Sequence, residues 1–113
     1  MSLSKSVSVV PRSDQWDAMG EADRKNAVEA LVGAILEEIS TQGRQPDHWE
    51  ATDLSAALTA ITMGWHRAAL GYAVMALQPP GVRAGSWGRV NTTPTLEQLR
   101  EALEFVMGMP SRR

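Results

Sequence analysis

A chain of 113 residues that is 43% hydrophobic and 21% charged, with a net charge of −2, has the size and composition of one globular domain, not of a disordered or fibrous segment. It contains no cysteine, which excludes a disulfide framework and a Cys-based zinc site and fits a reducing, cytoplasmic setting. The charge is uneven: residues 13–42 carry seven acids against Arg24 and Lys25, a local −5, whereas residues 79–92 carry only Arg83 and Arg89.

Residues 1–12 read as a flexible N-terminal arm, with Val7-Ser8-Val9 alternating as a short edge strand would. Ser6–Val10 is too short and too polar for a signal-peptide core, and Pro11 follows at once. Ser13 with Asp14 and Asp17 suits a helix start, because acidic and hydroxyl side chains satisfy free N–H groups at the positive end of the helix dipole. Gly20 interrupts, so the first helix is short, near 14–19.

The stronger helix spans 21–42. Val28, Leu31, Val32, Ile35, Leu36 and Ile39 form one apolar stripe at helical spacing, Gly43 stands where a left-handed cap is wanted, and Pro46 prevents resumption. Asp47 and Glu50 have the spacing of a capping box.

A third helix is predicted over 52–78. Leu54, Leu58, Ile61, Trp65, Ala68, Tyr72 and Met75 follow one another in heptad-like steps on one face. Ala56, Ala60, Gly64 and Ala68 form a row of small residues suited to a close helix contact. The heptad stays in phase through Gly64, which favours one helix over a break at Met63-Gly64. His66 and Arg67 lie mid-segment, where charge argues against a membrane span.

Residues 79–92 form a Gly/Pro-rich loop. Thr95 with Gln98 makes a second capping box, and Leu96, Leu99, Leu103 and Val106 are the seam of a last helix over 94–107, ended by Gly108 and Pro110. The expected fold is an all-α bundle of about four helices within a single domain, 13–110, followed by a short tail, 111–113. The two long helices should pack antiparallel, and the last should close the core against Ala69, Tyr72 and Ala73.

Four groups of residues are candidates for chemistry or binding. Arg83, Trp87 and Arg89 set two guanidinium groups around one tryptophan in the glycine-rich loop, a combination typical of binding hot spots. Phe105, Met107 and Met109 add adaptable apolar surface at the chain's end. Trp65, His66 and Tyr72 could line a pocket between helices. Asp47, His48, Glu50 and Asp53 could offer oxygen and imidazole ligands to a divalent cation, but their spacing matches no established metal pattern and two of them serve as helix caps.

Thr52, Ser55, Thr59, Thr62 and His66 share a face that reads as solvated, turning apolar at Ala69, Ala73 and Leu77. No carboxylate lies one turn from His66 to tune it as a general base. A helix-turn-helix around Met63-Gly64 would give a recognition helix with only two polar side chains, which argues against nucleic acid as a partner. No nucleophile elbow, phosphate loop, dinucleotide fingerprint or paired-histidine zinc motif is present, and no cofactor or metal is implied. These features favour a non-catalytic helical interaction module, an adaptor or regulatory protein. It would bind another protein or itself as a homodimer, with Trp87 or Phe105 near the contact. The alternative is a small-molecule-binding protein or small enzyme using the Trp65, His66 and Tyr72 pocket.

Overall fold

The computed structural model describes residues 3–78 and 93–109. Among these the chain forms six helices and no strand: α1 Ser4–Val7, α2 Ser13–Ala18, α3 Glu21–Thr41, α4 His48–Thr62, α5 His66–Met75 and α6 Leu96–Met107. The fold is a small all-α bundle built around α3.

The central helix owes its position to its stripe. Val28, Leu31, Val32, Ile35, Leu36 and Ile39 are all buried, each contributing about 1.5–3 kcal/mol relative to exposure. Glu21 and Asp23 supply negative charge to its first turn, where the dipole favours it. Gly43 takes the expected left-handed conformation, φ 68°. Leu96, Leu99, Leu103 and Val106 bury the seam of α6 as anticipated, and Leu103 lies 3.6 Å from where a Cβ on Gly33 would stand. Both predicted capping boxes form: Asp47 accepts from the Glu50 amide at 2.8 Å, and Thr95 accepts from the Gln98 amide at 3.2 Å.

The single helix expected over 52–78 is two helices. Gly64 adopts φ 78°; its N–H donates to the Ile61 carbonyl at 3.0 Å and that of Trp65 to the Ala60 carbonyl at 2.9 Å. Those two bonds are a Schellman closure, which satisfies the last carbonyls of α4 and turns the chain back. The apolar spacing runs on through the turn, but the helical phase does not. Leu54, Leu58 and Ile61 are buried, whereas Trp65, Tyr72 and Met75 are 60%, 40% and 39% exposed. The buried face of α5 is instead His66, Ala69 and Ala73, so His66 departs from the solvated face assigned to it.

This hairpin changes the packing. α4 packs chiefly against α5, and α3 meets α5 and α6 far more than it meets α4. α6 closes the core against α3 and α4, not principally against Ala69, Tyr72 and Ala73 on α5. Two polar ties fix the orientation of α6. The Leu96 amide donates to Gln45 Oε1 at 2.8 Å, which holds its start beside the entry to α4. The Lys25 ammonium donates to the Val106 carbonyl at 3.0 Å while pairing with Glu29, which holds its end beside the start of α3.

The residues read as an arm also differ from expectation. Ser4–Val7 is a helical turn, not a strand, and it packs on α3 with Leu3 and Ser6 buried. The Glu38 carboxylate accepts from the Ser6 hydroxyl at 2.7 Å and from the Ser6 and Lys5 amides at 2.9 and 3.2 Å. Burial alone would raise the Glu38 pKa, but the Ser6 hydroxyl and the two amides outweigh it and hold the group below its ordinary 4.5.

Candidate functional site

The hydroxyl face of α4 is the floor of the candidate site. Thr52 and Thr59 are exposed and Ser55, Ala56 and Thr62 half-buried, as the 3-4 spacing of that face predicted. No residue of this row is ionisable. The helix points it outward because the opposite side is occupied by Ala51, Leu54, Ala57, Leu58 and Ile61.

Two grooves flank this floor and share Ser55 and Thr59. Between α4 and α5 lies one of about 550 Å³, walled by Trp65, Ala68 and Tyr72. Between α4 and α6 lies one of about 400 Å³, walled by Gln98, Glu101 and Phe105, with Leu58 and Val106 reaching its base. Phe105 is 69% exposed, so it lines its groove while standing proud of it.

The structure separates the trio Trp65, His66 and Tyr72. Trp65 and Tyr72 share the α4–α5 groove, but His66 turns inward to α3 and is buried. Its Nδ1 lies 2.8 Å from Glu21 Oε2; a carboxylate can only accept, so Nδ1 carries the proton. Glu21 also approaches Arg24 at 3.5 Å. Arg24 in turn stacks 5.3 Å over the Trp16 ring and donates to the Trp16 carbonyl at 3.0 Å. The carboxylate missing from the neighbourhood of His66 in sequence is thus supplied by α3. His66 Nε2 is buried without a partner among the described residues, and the residue borders a separate cavity of about 250 Å³ with Trp16, Glu21, Arg24 and Trp65.

Phe105, Met107 and Met109 divide. Phe105 joins the α4–α6 groove, Met107 is 58% exposed, and Met109 is half-buried just past the helix end. Arg83, Trp87 and Arg89 lie outside the described residues.

Asp47 and Glu50, at the start of α4, are committed to structure. Asp47 caps the helix, and Glu50 accepts both Arg44 Nη1 at 2.6 Å and Nη2 at 2.9 Å as well as the Asp47 amide at 2.8 Å. Burial pushes the Glu50 pKa up, but the Arg44 guanidinium and the Asp47 amide more than offset it, so the group sits below its ordinary 4.5. His48 packs against Trp49, ring centroids 5.3 Å apart. Among the described residues no group of three or more His, Asp or Glu side chains is placed to hold a metal ion, and no helix is long and apolar enough to cross a membrane.

What the sequence reading missed is the combination. The phase reset at Gly64 swings Trp65 and Tyr72 outward to wall a groove beside the α4 hydroxyl face, and α6 brings Phe105 to its other side. The Met63-Gly64 pair was the available signal. No protein-family model, curated protein or solved structure matches this chain.

Proposed function

We propose that this chain is a non-catalytic interaction module, an adaptor or regulatory protein, and that it binds another protein or its own copy through the α4 face and the two grooves beside it. The observation that carries the reading is the placement of Trp65, Tyr72 and Phe105. Three large, exposed side chains, 60%, 40% and 69% accessible, flank one uncharged floor. Single exposed apolar residues are ordinary, but aromatic residues gathered around shared grooves favour a contact surface, and aromatic anchors dominate binding energy.

The test is a photo-crosslinking residue at Thr59, with Ala30 on the exposed side of α3 as the control position. Protein adducts formed at Thr59 and not at Ala30 support the reading. Adducts at Ala30 alone, or at neither position, oppose it.

A second reading rests on the α4–α5 groove, whose volume of about 550 Å³ falls within the range of small-ligand pockets. Trp65 and Tyr72 would stack on a flat apolar ligand there. His66 takes no part, because it faces Glu21. A dye whose binding quenches Trp65, with no protein adduct formed at Thr59, would favour this alternative.

A further inference from the structure

We infer that the occupant of the α4 face is a second copy of this chain, docked by a twofold axis parallel to α4 so that Phe105 of each copy enters the α4–α5 groove of the other. The inference rests on the reading of the α4 face given above and names its partner.

The face is self-complementary. The protruding side chain and the larger hollow lie on opposite sides of one ridge: Phe105 on the α6 side, and the groove walled by Trp65 and Tyr72 on the α5 side. A twofold rotation about an axis parallel to that ridge exchanges its two sides and preserves position along it. It therefore sets the knob of each copy over the hollow of the other, twice, as closed symmetry requires. Ser55, Ala56 and Thr59 on the ridge are small and uncharged, so two α4 helices can approach closely without juxtaposing like charges.

The charges of the two flanks are complementary in the same orientation. Lys25 holds the carbonyl of Val106 and Glu21 holds His66, so the end of α6 and the start of α5 both lie at the beginning of α3. The last turn of α6 has no basic residue, and Glu101 lines its groove. The first turn of α5 has no acidic residue and its N-cap makes no side-chain hydrogen bond, while Arg67 lies in that turn. Within the fold the end of α6 is met by the Lys25 ammonium and the start of α5 by the Glu21 carboxylate, so the charges left for a second copy are the exposed side chains of Glu101 and Arg67. The proposed rotation brings the Glu101 flank of one copy towards the Arg67 flank of the other.

The size also fits. Three neighbouring helices about 9 Å apart and roughly 22, 15 and 18 Å long present on the order of 500 Å² in projection. With surface relief that reaches the scale of the ~800 Å² per partner of a standard interface.

The test is light scattering on the full chain, with variants. The expected mass is twice the 12.3 kDa of one chain, falling to the single-chain value for Phe105→Glu with an unchanged helical spectrum. Arg67→Glu should weaken the dimer about two- to fivefold, as loss of an exposed charge pair does, and Glu101→Arg in the same chain should restore it. Because the chain has no cysteine, Thr59→Cys introduces a single thiol near the axis, close enough to its symmetry mate for oxidation to link the copies; Ala30→Cys should not link. A single-chain mass at every accessible concentration overturns the second-copy occupant, while the photo-crosslinking test separately decides whether α4 binds another protein. A dimer that ignores Phe105→Glu and does not link through Thr59→Cys overturns the geometry, as does tighter association of Arg67→Glu.

Discussion

His66 Nδ1 meets Glu21 Oε2 at 2.8 Å, joining the first turns of two helices whose contacting residues are 45 positions apart. The bond fixes where α5 begins relative to α3, and with it the wall that Trp65 gives to the α4–α5 groove. His66 is nearly fully buried while Glu21 is partly exposed, so the histidine depends on the carboxylate more than the reverse. Glu21→Ala should therefore cost about 1–3 kcal/mol, the penalty of leaving a buried donor unsatisfied, and Glu21→Gln less. Urea midpoints measure both; equal midpoints for Glu21→Ala and the parent would show that water replaces the carboxylate without loss.

Gly64 and Gly71 should respond oppositely to alanine. Gly64 has φ 78°, where a Cβ costs about 1–2 kcal/mol, and its conformation closes α4. Gly71 lies within α5 with nothing within 4 Å of an added Cβ, so alanine there should stabilise by up to about 1 kcal/mol. Thermal denaturation of the two variants checks the pair. Stabilisation by Gly64→Ala as large as that by Gly71→Ala would restore the continuous helix.

Lys25 and Glu29 are both buried and ion-paired, and Lys25 also clamps the end of α6. Glu29→Ala alone would strand a buried ammonium, at a cost of about 3–5 kcal/mol. Lys25→Met with Glu29→Leu removes both charges and should recover most of that loss. The comparison is one of denaturant midpoints, and a double variant less stable than Glu29→Ala would mean that the clamp on Val106 outweighs the stranded charge.

Acid should loosen the N-terminal turn and the entry to α4 together. Glu38 and Glu50 both titrate below their ordinary 4.5 in the folded chain. A depressed carboxyl contributes stability that is complete above its unfolded pKa and is lost as pH falls through the folded one. Stability should thus be insensitive to these groups near neutrality and decline below about pH 4.5. Glu38→Gln and Glu50→Gln should each flatten that decline. A decline of unchanged steepness in both variants would assign acid sensitivity to other carboxylates.

The legible parts of the fold were those set by local rules. The α3 stripe, the α6 seam, the left-handed cap at Gly43 and both capping boxes depend on neighbours within a turn or two, and each formed. The i, i+4 spacing of Lys25 and Glu29 was also visible, but their burial was not, since it depends on where α6 lands. The turn at Gly64 was hidden by a coincidence: Trp65 follows Ile61 by four positions, as a continuous heptad requires, yet a Schellman closure uses those same residues to end the helix. Every misplacement in the candidate site follows from that point. Trp65 and Tyr72 moved from the core to a groove wall, and His66 moved from the surface to the core. The Glu21 partner could not be found by spacing at all, because it is supplied by the tertiary fold.

Amide chemical shifts of the full chain followed on dilution test the central claim most directly, because they locate the contact without altering a residue. If a second copy docks on α4, the signals of Ser55, Thr59, Ala68 and Phe105 move together along one binding curve, while those of Asn26 and Ala30 on the exposed side of α3 stay fixed. Signals that never move, or that move only on α3, would contradict it.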